Sequence, residues 1–306
     1  MDVKYALGID IGGTKTAIGI VDSMGTILAK MSLPTDLSID PRIMISRTAD
    51  AAKQLLADQH LTEAQIAGIG VGAPGPLNTK TGHIVKPPNM TAWHDFPLMD
   101  ALKSHFSLPI IFENDATAAA LAEKWQGAAQ ECEHFIFITI STGIGAGIYS
   151  HGKLITGATG NAGDVGHLVI DPSAGDCVCG QQGCWEFIAS GTAIARQASR
   201  LLDRDVTSKE VFDLAQEGHA EMKRLVDQVF RYIGMGCVTL INTLDPEKVV
   251  IGGGVSQVGD PLFHAVRDYV KACALNPSGQ NTPIVPAALN QDAGLIGAAA
   301  LIHMEY

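Results

Sequence analysis

Short apolar runs broken by glycine and polar turns set the rhythm of this chain, and longer stretches of helical periodicity come between them. Residues 5–11, 16–21 and 26–30 alternate as strands and predict an opening β-meander. A helix follows over 41–59. Asp40-Pro41 starts it, and Ile43, Ala51, Ala52, Leu55 and Leu56 recur at roughly helical spacing. Residues 66–71 (IAGIGV) read as a buried strand that enters the rigid turn Gly72-Ala73-Pro74-Gly75-Pro76. The pattern then predicts a helix over 98–107, a strand over 109–112, a helix over 116–125 and a strand over 135–140. Helices are predicted at 190–202, 208–217 and 220–244, the last stopped by Asp245-Pro246. Strand 248–251, helix 261–273, strand 283–287 and the small-residue helix 294–302 complete the chain.

Three strands run into glycine turns, at Gly12-Gly13, Gly143–Gly147 and Gly252–Gly254. The first lies between two strands, so neither the P-loop nor the dinucleotide fingerprint is met, since both open a helix. Such a turn still frees backbone N–H groups for phosphate, although an ordinary tight hairpin has the same sequence. Asp10 is placed to hold Mg²⁺ through water, and Thr14 and Lys15 to reach phosphate oxygens. The run from Phe135 to Gly152 echoes that from Ile9 to Gly25, a weak internal duplication with a phosphate loop in each half.

Composition narrows the picture. The 306 residues are 46% hydrophobic and 17% charged, a buried globular chain of one large or two medium domains. The net charge of −11, without basic clusters, argues against a nucleic-acid partner. No apolar run is long enough to span a membrane and no signal peptide precedes the first strand, so a cytoplasmic protein is expected. Three of the six cysteines lie within eight residues, which suggests a metal site more than a disulfide framework.

His167, Cys177, Cys179 and Cys184 form a Cys₃His set, a full tetrahedral shell for Zn²⁺. With no open position the metal would be structural, holding Asp164, His167 and Glu186 in place. Asn89, Asn114, Asp115, Asp164, His167 and Glu186 stand at rigid turns, where carboxylates and amides suit a polyhydroxylated ligand; singly, each also reads as a cap or a solvated loop residue. Asn114-Asp115 lies where a strand meets a helix. Capping needs one of the pair and leaves a carboxylate, Asp115, to accept a hydroxyl proton while Mg²⁺ bridges the phosphates of a nucleotide laid along the glycine turns.

Taken together, these motifs resemble the ROK family of bacterial sugar kinases. The resemblance spans nearly the whole chain. It rests on Asp10–Lys15, Gly72–Pro76, Pro88-Asn89, Glu113–Asp115, Thr142–Ala146, Gly163–His167, the Cys177-x-Cys179…Cys184-x-Glu186 loop and Ile251–Gly254. It implies an α/β protein of the actin/hexokinase-like (ribonuclease H-like) fold, with two domains closing a cleft on the sugar. The division expected is 1–113 plus the returning C-terminal helix, 293–306, against 114–292. It also implies ATP and Mg²⁺ as cosubstrates and a homodimer or homotetramer. Asp115 would be the catalytic base. Asn89, Asn114, Asp164, His167 and Glu186 would hold the sugar. Gly12, Gly13, Thr14, Lys15, Thr142, Gly143, Gly253 and Gly254 would lie along the nucleotide.

The family usually carries Glu where this chain has Asp164, and many relatives have Gly where it has Ser141. The shorter carboxylate moves its oxygens by roughly 1.5 Å, which touches hexose preference more than the reaction. The expected activity is phosphorylation of a hexose at its 6-hydroxyl, glucose first, with fructose, mannose or an N-acetylhexosamine as alternatives. A sugar-sensing repressor would carry a helix-turn-helix ahead of the sugar domain, and only nine residues precede Asp10. A zinc-stabilised sugar-binding module without turnover is the third reading.

Overall fold

The computed structural model describes residues 4–304; residues 1–3, where no signal peptide is expected, and 305–306, the end of the expected returning helix segment, lie outside it. In chain order the elements begin β1 (Tyr5–Ile11), β2 (Lys15–Val21), β3 (Ile27–Pro34), α1 (Pro41–Asp58), β4 (Ile66–Ala73), β5 (Leu77–Asn78), β6 (His83–Ile84) and α2 (Leu98–Lys103). They continue with β7 (Ile110–Asn114), α3 (Asp115–Gln126), β8 (Phe135–Ile140), β9 (Ile144–Ser150), β10 (Lys153–Leu154), α4 (Trp185–Ala189), α5 (Gly191–Leu202) and α6 (Ser208–Gln216). The last are α7 (Ala220–Leu244), β11 (Lys248–Gly252), α8 (Asp260–Cys273), α9 (Pro277–Gln280), β12 (Ile284–Pro286) and α10 (Ala293–His303).

The chain forms two compact units. One contains the residues up to Glu131, Gly152–Gly163 and the residues from Leu289 on; the other contains Cys132–His151 and Asp164–Ala288. The division expected after residue 113 would fall between β7 and α3, which both belong to the first unit. The strand runs directly into the helix, and α3 is fastened there by α10. A Cβ on Gly297 of α10 would lie 2.1 Å from the Ala118 carbonyl oxygen, so only glycine permits that approach.

The first unit's sheet runs β3-β2-β1-β4-β7, antiparallel through β1, β2 and β3 and parallel from β1 through β4 to β7. Its apolar residues, among them Leu7, Ile9, Ile69 and Val71, are fully buried against Met44, Ile45 and Ala49 of α1. The other face is floored with glycine. A Cβ on Gly70 would stand 1.7 Å from the Ala298 carbonyl oxygen, and one on Gly8 would stand 2.6 Å from that of Leu295. Helix α10 therefore lies on bare backbone, and its Gly/Ala composition is the matching requirement.

In the second unit β9-β8-β11-β12 run side by side, with β8 and β9 antiparallel and β8, β11 and β12 parallel. The order repeats that of β2-β1-β4-β7, so the echo read in the sequence corresponds to a repeated topology. Its core gathers Ile136, Ile138 and Ile251 with Trp185 of α4 and Val229, Ile233 and Cys237 of α7. Gly236 gives Trp185 its room, since a Cβ there would come within 2.3 Å of the indole.

Candidate functional site

Within the first unit the polar residues gather where β1, β4 and β7 end. Asp10 is the last residue but one of β1 and faces the start of α10, where a Cβ on Gly294 would lie 2.3 Å from its Oδ2. Gly72, the partner of both Asp10 and Glu113 in the sheet, separates the two expected acids. The position of its absent Cβ is 3.7 Å from Asp10 Oδ1 and 3.7 Å from Asp115 Cα. Burial raises the Asp10 pKa to about 6, against the pull of the Lys15 charge.

Asn114 is the N-cap of α3, its side-chain oxygen accepting from the Ala116 and Thr117 amides. Asp115 is the helix's first residue, and its Oδ1 also accepts the Ala116 N–H, at 2.8 Å. The two side chains thus share one amide, and the expected separation of a capping residue from an uncommitted carboxylate does not hold. Gly12 turns the chain by donating to the Lys15 carbonyl at 2.9 Å, and around Gly13 there is open space. Thr14 and Lys15 are exposed beside it, and Asn89 is exposed on the loop after Pro87 and Pro88.

Within the second unit the zinc-type ligands and three expected sugar contacts converge. The ligand atoms of His167, Cys177, Cys179 and Cys184 all lie within 4.8 Å of one another. Cys177 Sγ is 3.7 Å from His167 Nδ1, and Cys179 Sγ is 3.5 Å from Cys184 Sγ. Tetrahedral zinc with sulfur at 2.3 Å separates its sulfurs by about 3.8 Å, so the donors fit the ion. The loop is held from within. Cys177 N–H donates to the Gln181 carbonyl, and the Gln181 side chain donates to the His167 carbonyl at 3.1 Å. Gly183 has φ +69°, and a Cβ on it would strike the Asp171 carbonyl at 1.7 Å.

Cys184 is also the N-cap position of α4, and in the first turn of that helix stands Glu186. Glu186 Oε2 accepts the Ile144 N–H at 2.8 Å, directly at the turn of Thr142 and Gly143. A Cβ on Gly143 would lie 2.3 Å from that oxygen. Gly166 closes the group, its absent Cβ falling 2.2 Å from the Ile144 carbonyl and 3.2 Å from Glu186 Cβ. Asp164 keeps solvent access, yet desolvation raises its pKa; the His167 charge opposes this and the Glu186 charge adds to it. Gly253, at φ +85°, abuts the end of β8, where a Cβ would meet the Ile140 carbonyl at 2.4 Å, and Gly254 is open. The structure thus brings Asp164, His167, Glu186 and the Thr142–Gly143 turn together in one unit, and Asp10, Asn114 and Asp115 together in the other.

The sequence reading gave Glu113 no role. It is 7% exposed, and its Oε2 is buried without a hydrogen-bond partner. The available signal was an acid ending an apolar strand. Burial raises its pKa from 4.5 to about 7, the Asn114 N–H pulling the other way.

The ROK family model matches residues 6–305. The chain is 36% identical to a glucokinase of Halalkalibacterium halodurans, over 100% of this chain and 97% of that one. It is 35% identical to an N-acetylmannosamine kinase of Escherichia fergusonii, over 98% of each. Among solved structures it is similar to a ROK family glucokinase from Streptomyces griseus in complex with glucose and AMPPNP, with a TM-score of 0.81, 31% identity and coverage of 97% of this chain and 98% of that one. The fold is the two-domain α/β architecture of the actin/hexokinase-like class. The chain belongs to the ROK family.

A buried acid with a raised pKa weakens the fold as pH rises, because the unfolded chain releases the proton first. Glu113 stabilises the native state relative to neutral pH below about 4.5, and that contribution disappears as pH climbs to about 7. Glu113→Gln is predicted to be more stable than the wild type at pH 8 by up to about 3 kcal/mol, with the difference shrinking toward pH 4.5. Urea unfolding of both proteins across that range checks this; a difference constant with pH would show that Glu113 does not titrate there.

Proposed function

We propose that this protein is an ATP-dependent hexokinase, transferring the terminal phosphoryl group of ATP to the 6-hydroxyl of a hexose, with glucose the favoured sugar. The observation that carries this reading is the placement of Asp115 as the first residue of α3, beside its cap Asn114 and across Gly72 from Asp10. Family membership and the glucokinase relatives support it.

In this reading the sugar 6-oxygen attacks the γ-phosphorus, the bond between γ-phosphorus and the bridging oxygen breaks, and the hydroxyl proton passes to Asp115. The helix N-terminus favours negative charge on that carboxylate, and the Ala116 amide fixes its direction. Asn89, Asn114, Asp164, His167 and Glu186 hold the sugar hydroxyls. The backbone at Gly12, Gly13, Thr142, Gly143, Gly253 and Gly254, with Thr14 and Lys15, lies along the nucleotide. Asp10, a single carboxylate at a strand end, suits Mg²⁺ that keeps most of its water, and the ion when bound neutralises phosphate charge.

His167, Cys177, Cys179 and Cys184 would hold a structural zinc, whose chemistry is to fix the loop rather than to react. Because Nδ1 of His167 faces Cys177, its Nε2 is the nitrogen offered to the sugar. The N-acetylmannosamine kinase relatives and Asp164 in place of Glu keep an N-acetylhexosamine as a second reading, with fructose and mannose behind it. A cytoplasmic role in carbohydrate metabolism such as glycolysis, and a dimer or tetramer, belong to the same proposal.

Asp115→Asn should lower kcat by at least a thousandfold while sugar binding and the melting temperature stay near wild type; retention of most of the kcat would remove Asp115 as the base. Metal analysis should find one zinc per chain, and Cys184→Ser should lose it together with several degrees of Tm. A zinc-free protein of equal stability would sink the Cys₃His assignment.

A further inference from the structure

Beside the zinc-ligand loop the second unit has a cavity of about 300 Å³ whose walls include Asp171, Phe187, Arg196, Arg200, Gln228 and Tyr232. None of these residues belongs to the site described above. Arg196 and Arg200 are one turn apart on α5 and therefore side by side. In a chain with 32 acidic and 21 basic residues, neither forms an ion pair among the described residues. The Arg196 guanidinium lies over the Phe187 ring at 4.0 Å, and its Nη2 donates to the Phe187 carbonyl. Its Nε is buried without an acceptor. Burial and then the neighbouring Arg200 charge lower the Arg196 pKa, and the Cys177 charge opposes them.

The other polar lining residues have a different chemistry. Tyr232 donates its hydroxyl hydrogen to Asp171 Oδ2 at 2.7 Å, and Gln228 Nε2 donates to the Tyr232 oxygen at 2.8 Å. Asp171 Oδ1 accepts from the Ser173 amide and hydroxyl, so hydrogen bonds from neutral groups, not an arginine, hold this carboxylate. The lining of the cavity thus combines two guanidinium groups with hydroxyl, amide and carboxylate groups. Two like charges one turn apart repel, and a dianion between them reverses the sign of that interaction. The Asp171 carboxylate disfavours a second anionic group, and its spare lone pairs suit hydroxyls. The volume is at the lower end of ligand sites, room for one small molecule.

We propose that this cavity is a second binding site, for a phosphate monoester of a small polyhydroxylated compound, with the phosphate between Arg196 and Arg200 and the hydroxyls on Gln228, Tyr232 and Asp171. The proposal stands on these residues alone and does not depend on the kinase reading. Free inorganic phosphate has the same charged group and is the other source of such an anion.

Isothermal titration of the full-length protein, without ATP, tests it with three probes: inorganic phosphate, glucose 6-phosphate and uncharged glucose. Arg200 is exposed and forms no ion pair among the described residues, so Arg200→Gln and Arg200→Glu should keep the fold, as circular dichroism and Tm will verify. A saturable phosphate-dependent site is expected in the wild type. It should be at least tenfold weaker in Arg200→Gln and absent in Arg200→Glu, with glucose binding equal in all three proteins. Glucose 6-phosphate binding tenfold tighter than phosphate would assign the site to the ester, and equal affinities would assign it to the free anion. Binding of both anions that is unchanged by either substitution, or no saturable binding to the wild type, overturns the proposal.

Discussion

One hydrogen bond ties the chemistry of the second unit together: the Ile144 amide donating to Glu186 Oε2 at 2.8 Å. It joins a glycine turn at the end of β8 to the first turn of α4, which begins at the metal-type ligand Cys184. A backbone amide at a turn between strands has no ladder partner on that side, and a buried unmet amide costs about 1–3 kcal/mol. Glu186 meets that demand, so the turn's shape depends on where the carboxylate stands. The carboxylate in turn depends on the Cys₃His loop that starts its helix. Gly143 and Gly166 are glycines because the carboxylate and the Ile144 carbonyl occupy the space a side chain would need. Metal loop, acid and phosphate-type turn are therefore one assembly, and loosening any part loosens the rest.

The first unit solves its positioning problem with backbone packing rather than a metal. Helix α10 rests on Gly8 and Gly70, close enough that its carbonyls nearly touch the sheet, and it meets α3 through Gly297. Its first turn brings Gly294 against the Asp10 carboxylate. Helix α10 thus fixes the acid near the end of β1 and braces the helix that begins with Asp115. Both are placed by rigid elements, which a reaction requiring sub-ångström alignment needs.

What the sequence made legible follows from which signals are local. The Cys₃His set could be read because its ligands fall within eighteen residues and their spacing is itself the geometry. Asn114 as a cap, and the three glycine turns at strand ends, were legible for the same reason. The glycines inside strands were not. Gly8 and Gly70 answer to Leu295 and Ala298, more than two hundred residues away, and nothing beside them announces it. The boundary expected after residue 113 relied on a pattern restarting, whereas α3 packs with a helix from the far end of the chain. Asp115 shares the Ala116 amide with its own cap, a detail of side-chain direction that residue identities do not specify.

The most direct test of the account is ADP release by the purified protein with Mg-ATP, measured against glucose, mannose, fructose, N-acetylglucosamine and N-acetylmannosamine. The account predicts sugar-dependent ADP formation matched one-to-one by a hexose 6-phosphate, with glucose giving the highest kcat/KM. No sugar-dependent release on any of the five, from folded protein that still binds sugar, would contradict it.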